Sequence, residues 1–118
     1  MDTAYEREKL GNAVSALAAG AESIQKRLEH AYMAMHTLAM KPLVNPERNK
    51  AFGSIHERLT ADKSDSTAGY LATTTARLSD DDASAIARDI VELYNGVCHY
   101  RIYALEDELR AAKAPAAR

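Results

Sequence analysis

Between residues 80 and 113, apolar side chains recur at Ile86, Ile90, Leu93, Val97, Tyr100 and Ala104. The alternating four- and three-residue spacing lines up one face of an α-helix. A second row, Val91, Tyr94, Cys98, Ile102, Leu105 and Leu109, runs beside the first, and Arg88, Glu92, Asn95, His99, Tyr103, Glu106 and Arg110 fill the remaining side. A helix with two apolar rows must pack against at least two neighbours. Ser79 followed by Asp80, Asp81 and Asp82 predicts its start, an N-cap with carboxylates placed where the partial positive charge of the helix end stabilises them. Pro115, after Arg110 and Lys113, predicts its end.

The same alternation appears at the other end of the chain, through Leu10, Val14, Leu17, Ala21, Ile24, Leu28, Ala31, Met35 and Leu38, without a break over four heptads. This is the pattern of a left-handed bundle seam. Thr3 and Glu6, three residues apart, read as a capping box that opens this helix. Pro42 disfavours helical dihedrals in the residue before it, so the helix is expected to span about 3–40. Ala16, Ala18, Ala19, Gly20 and Ala21 would allow a close neighbour, and Gly20 costs about 1 kcal/mol of helix propensity. Asn45 as cap and Pro46 at the first helical position restart helix over 46–61, with Phe52, Ile55 and Leu59 as a narrow stripe. After polar turn chemistry at 62–66, Leu71, Thr75 and Leu78 carry helical spacing over 67–78, against the β-branched run Thr73, Thr74, Thr75 and against Gly69.

These elements predict an all-α antiparallel bundle of two long helices plus one or two short ones. At about 1.5 Å per residue the long helices would each reach roughly 50 Å and the short ones roughly 18 to 25 Å. If the short pair forms a hairpin at one end, Leu10, Val14 and Leu17 are left beside Ile102, Leu105 and Leu109 as an apolar overhang, which a monomer rarely exposes. The expectation is then a homodimer in which two overhangs complete each other. If the short helices lie end to end along the long pair, the bundle is complete as a monomer.

Composition narrows the class. With 118 residues the chain is the size of a single domain, and its 6% aromatic content, 3 Pro and 5 Gly disfavour a sandwich or barrel. Fifteen Lys and Arg against seventeen Asp and Glu are scattered along the chain, so a phosphate-tracking surface is not expected and nucleic acid is disfavoured as a partner. One cysteine, Cys98, suits a reducing compartment; residues 1–9 are charged and no run of about 18 apolar residues is present, so a cytoplasmic protein without a membrane span is expected.

Candidate chemistry is sparse. His30, His36, His56 and His99 do not form the Glu-x-x-His pairs of carboxylate-bridged metal bundles. No phosphate loop, nucleophile elbow or zinc-ligand spacing occurs, so no metal, cofactor or catalytic residue is assigned. His36 lies on a predicted helix, as the histidine of a phosphotransfer bundle does, but its sequel Thr37-Leu38-Ala39-Met40-Lys41 has Ala where those domains carry Lys and lacks their Gly. Arg101 falls between the two rows of the last helix, and a buried guanidinium requires a carboxylate. Glu22 and Glu29 on the first helix, with Gln25, Tyr32 and His36, could form with Tyr94 and Arg101 a polar groove for an anionic ligand. Two readings follow: a non-enzymatic adaptor, regulator or inhibitor of a protein partner, or a small-molecule-binding or catalytic bundle around Arg101.

Overall fold

The computed structural model describes residues 2–65 and 67–113. Among these there are five α-helices and no strand: α1 (Ala4–Ala19), α2 (Ile24–Met35), α3 (Pro46–Leu59), α4 (Tyr70–Arg77) and α5 (Asp80–Lys113), with a 3₁₀ turn at His36–Ala39 continuing α2. The all-α bundle expected from the periodicity is present. The predicted stop at Pro115 lies outside the described residues.

The first long helix, expected to span 3–40, is instead a helical hairpin. Gly20 has extended dihedrals (φ -70°, ψ 142°), and Ser23 caps α2 by accepting from the Lys26 N–H at 3.2 Å. Arg27 closes the turn, donating through Nε to the Glu22 carbonyl (3.0 Å) and through Nη1 to the Leu17 carbonyl (2.7 Å). It therefore satisfies a carbonyl left open at the end of α1. The apolar alternation survives the reversal because Leu10 and Leu17 on α1, and Leu28, Ala31, Met35 and Leu38 after the turn, all face one core.

Contacts between elements fix their directions. Gly11 lies against Tyr94 while Thr3 lies near Val97 and Tyr100, so α1 runs antiparallel to α5. Gln25 donates to the Leu78 carbonyl (2.9 Å) and to Asp80 (2.8 Å), which sets the start of α2 beside the start of α5. At the other end of this hairpin the Tyr5 hydroxyl donates to Thr37, with Lys41 4.3 Å above the Tyr5 ring. Helix α3, capped by Asn45 as expected, descends along α5 from Arg48 at Gly96 to Arg58, which pairs with Asp89 at 2.7 Å. One core joins Leu10, Leu28, Met35, Ile55, Leu59, Ile86, Ile90, Leu93 and Val97.

Helix α4 closes the end where α2 begins. Its threonines are helical because their hydroxyls find local partners: Thr75 donates to the Leu71 carbonyl (3.0 Å), Thr73 donates to the Asp65 carbonyl (3.3 Å), and Thr74 accepts from the Asp62 N–H (2.8 Å). Gly69 stands just before the helix at φ 90°, a left-handed conformation that suits glycine.

The predicted capping box does not form. Asp2 accepts from the Ala4 N–H (2.8 Å), the Thr3 hydroxyl accepts from Arg7, and Glu6 turns inward, 5% exposed, where its carboxylate accepts from the Val44 N–H at 3.3 Å. Burial pushes the Glu6 carboxyl above its ordinary value, opposed by the Val44 N–H and the charges of Arg48 and Arg7. A carboxyl whose folded pKa exceeds its unfolded one binds its proton more tightly in the native chain. Its contribution to stability is therefore gained as pH falls through the raised folded value and is complete below the unfolded one. Glu6→Gln is expected to be at least as stable as the parent at neutral pH and to lose that relative gain on acidification, as read from paired thermal melts down to about pH 4. A parent stabler than the variant at neutral pH would show that the Arg48 and Arg7 charges outweigh burial.

Candidate interaction surface

Helix α5 outruns the bundle. At about 1.5 Å per residue its 34 residues extend some 51 Å, and the molecule measures 67 × 27 × 19 Å. Thr3, Asn45 and Arg48 meet it at Val97 and Tyr100, the level at which the bundle ends among the described residues. Ile102 (48% exposed), Tyr103 (63%), Leu105 (44%) and Leu109 (54%) follow in open solvent. Four of the seven exposed large apolar side chains among the described residues fall in this one eight-residue span, and three of them, Ile102, Leu105 and Leu109, share one face, which makes it a patch rather than ordinary scatter.

The geometry of the patch follows from helical phase. On a 100° wheel Ile102, Leu105 and Leu109 stand beside, not in line with, the buried row Ile86–Ile90–Leu93–Val97. They prolong the row of Tyr94 and Cys98, on the flank that Tyr94 turns toward Gly11 of α1. Tyr94 and Cys98 are half-buried, and the neighbouring Cys98 side chain, together with burial, pushes the Tyr94 phenol above its ordinary value.

Arg101, half-buried beside the patch, has no carboxylate within ion-pair distance among the described residues, and neither has Arg7. Glu106 and Glu108 likewise have no cation within that distance there. Arg110 and Asp107 pair at 3.0 Å, both largely exposed, a contact of little energetic weight.

Of the six residues expected in the overhang, Ile102, Leu105 and Leu109 are exposed together. Leu10 and Leu17 are not: they are buried, because the break at Gly20 folds α1 back as a bundle helix instead of leaving it as a protruding arm. Val14 is half-buried at the edge of the same core. The polar groove is not assembled either. Glu22 sits in the α1–α2 turn with its carboxylate 3.9 Å from His30, and Glu29 pairs with Lys26 at 2.9 Å. Both lie toward the end where Gln25 meets Asp80, whereas Arg101 is 21 residues farther along α5, about 31 Å away.

Two arrangements escaped the sequence reading. Arg48 crosses α5 at Gly96, where a Cβ would come within 2.9 Å of its Nε, and its guanidinium lies 5.8 Å from the Tyr100 ring centre. This contact braces α5 at the level where the helix leaves the bundle. The Tyr32 hydroxyl is bonded to His56 Nδ1, which ties α2 to α3. A groove of about 560 Å³ between α3 and α5 is lined by Glu47, Arg48, Arg58, Asp89 and Glu92 among others and is crossed by the Arg58–Asp89 pair. No group of three or more metal-ligating side chains converges among the described residues, and no helix there is long and apolar enough to cross a membrane.

No protein-family model, curated protein or solved structure matches this chain.

Proposed function

We propose that this protein is a non-enzymatic interaction module, an adaptor, regulator or inhibitor that works through a helix face, and that it is a homodimer through the projecting end of α5. The observation that carries the reading is the apolar row Ile102, Leu105 and Leu109, exposed on a helix that extends past its own bundle. Apolar surface of this kind is stabilised when another helix removes it from water. The lone Cys98 fits work in a reducing cytoplasm.

Leu105→Glu tests the reading, because desolvating an unpaired carboxylate at the centre of the row opposes association. The parent is expected to sediment as a dimer at micromolar concentration, with a Tm that rises with protein concentration, and the variant as a folded monomer. A monomeric parent whose Tm does not depend on concentration removes the homodimer.

A further inference from the structure

Resting on that reading, we infer that the second copy pairs with α5 antiparallel, each Arg101 facing the partner's Glu108 and each helix tip lying on the partner's Tyr94–Cys98 row. Cys98, Ile102, Leu105 and Leu109 are spaced four, three and four residues apart, which places Ile102 and Leu109 at one core position of a heptad and Cys98 and Leu105 at the other. Arg101 and Glu108 then flank the seam on the same side, one heptad apart. At about 10.5 Å along the axis they are too distant to pair within one chain, and neither has an ion-pair partner among the described residues.

Charge selects the orientation. Residues 106–108 are all acidic, while the level of Arg101 carries positive charge, to which Arg7 of α1, close enough to Tyr94 to act on its phenol, adds. An antiparallel pair centred between Tyr103 and Ala104 sets each acidic level against the partner's Arg101 and Arg7. A parallel pair would bring Arg101 near the partner's Glu106 and Glu108 near the partner's Lys113, but it would also hold three carboxylates of one chain level with three of the other, a like-charge juxtaposition that opposes binding.

Apolar coverage points the same way. In the antiparallel register Cys98 meets the partner's Leu109, and Ile102 meets the partner's Leu105, with each contact made twice by symmetry. The tip beyond Leu109 then reaches the partner's Tyr94, so the half-buried part of the row beside α1 is covered along with the exposed part.

Charge reversal and cross-linking test the arrangement, with circular dichroism to verify that each variant is folded. Arg101→Glu and Glu108→Arg are each expected to weaken dimerisation about tenfold or more, and the double variant to restore it, because the swapped charges again face each other. In a parallel pair the double variant would set the introduced carboxylate at position 101 against the partner's Glu106, and the introduced guanidinium at position 108 against the partner's Lys113. No restoration would then occur. Leu109→Cys, oxidised by diamide under native conditions, is expected to give a covalent dimer whose peptide map contains a disulfide joining Cys98 to the cysteine introduced at position 109. The parent is expected to cross-link poorly through Cys98. A dimeric parent that cross-links efficiently through Cys98 alone, with a double variant that stays weak, overturns the antiparallel register and leaves the interaction reading standing. A parent that is monomeric at every concentration overturns both.

Discussion

Leu93→Ala is expected to destabilise the fold by about 2 to 5 kcal/mol, whereas Glu92→Ala, one residue away, should change stability by no more than about 0.5 kcal/mol. Leu93 is buried on the row of α5 that meets α3, among Ile55, Ile90 and Val97, and truncation would leave a cavity that helices held on both sides cannot readily collapse. Glu92 is exposed on the rim of the α3–α5 groove and makes no ion pair among the described residues. Against a total stability of about 5 to 15 kcal/mol for a domain of ordinary size, the first loss is large enough to shift a urea midpoint plainly. Equal effects from the two substitutions would mean that α5 is rotated about its axis relative to the arrangement described.

Replacing Gly20 and Ser23 together by alanine is expected to change how many chains make one folded unit. A Cβ at Gly20 would lie 2.7 and 2.9 Å from the Arg27 side chain and 3.0 Å from the Ala16 carbonyl oxygen, which disfavours the closed turn. Loss of the Ser23 cap costs the start of α2 about 1 kcal/mol, and alanine in place of glycine favours continuous helix by about 1 kcal/mol. Together these shift the balance between turn and straight helix by about 2 kcal/mol, roughly thirtyfold. Leu17 and Ile24 are seven residues apart, so a straight helix keeps the apolar row intact, and two opened hairpins can exchange arms between copies. In a Leu105→Glu background, which removes the α5 contact, size-exclusion chromatography is expected to show a dimer for the turn variant and a monomer for its control. A turn variant that remains monomeric would show that Arg27, bridging Leu17 and Glu22, holds the hairpin without either residue.

That seven-residue interval also explains what the sequence conceals. Periodicity reports which side chains face a core, and α1 and α2 face the same one, so the pattern passes through the reversal unchanged. The signals for the break are present in Gly20 and in Ser23 as a cap, but each is also compatible with an Ala-rich helix that tolerates a glycine. The start and long course of α5, and the Asn45-Pro46 start of α3, are legible because a cap, a breaker and a phase agree there. The inward turn of Glu6 is not legible, because a carboxylate three residues into a helix can reach back to the cap or inward, and the choice depends on Val44, thirty-eight residues away. The polar groove fails for a related reason: it needs a straight first helix to carry Glu22 and Glu29 up toward Arg101. The exposed half of the overhang is legible because it depends only on the length of α5, and the pairing of Arg48 with Gly96 is not, because nothing local marks it.

The unbroken course of α5 also governs how its outer third holds its shape. A free helix of about 13 residues is marginal in water, since forming the first turn fixes several dihedrals for one hydrogen bond. In residues 101–113 that nucleation step is not required: the helix is already wound where Leu93 and Val97 are packed, and each further turn is simple propagation from there. Winding in the tip is thus inherited from the core along a single hydrogen-bonded axis. In a chain kept monomeric by Leu105→Glu, fraying is expected to begin at the far end and advance toward Tyr100, where Arg48 and the start of α1 arrest it, so that amide protection falls from the braced level of the helix to its tip.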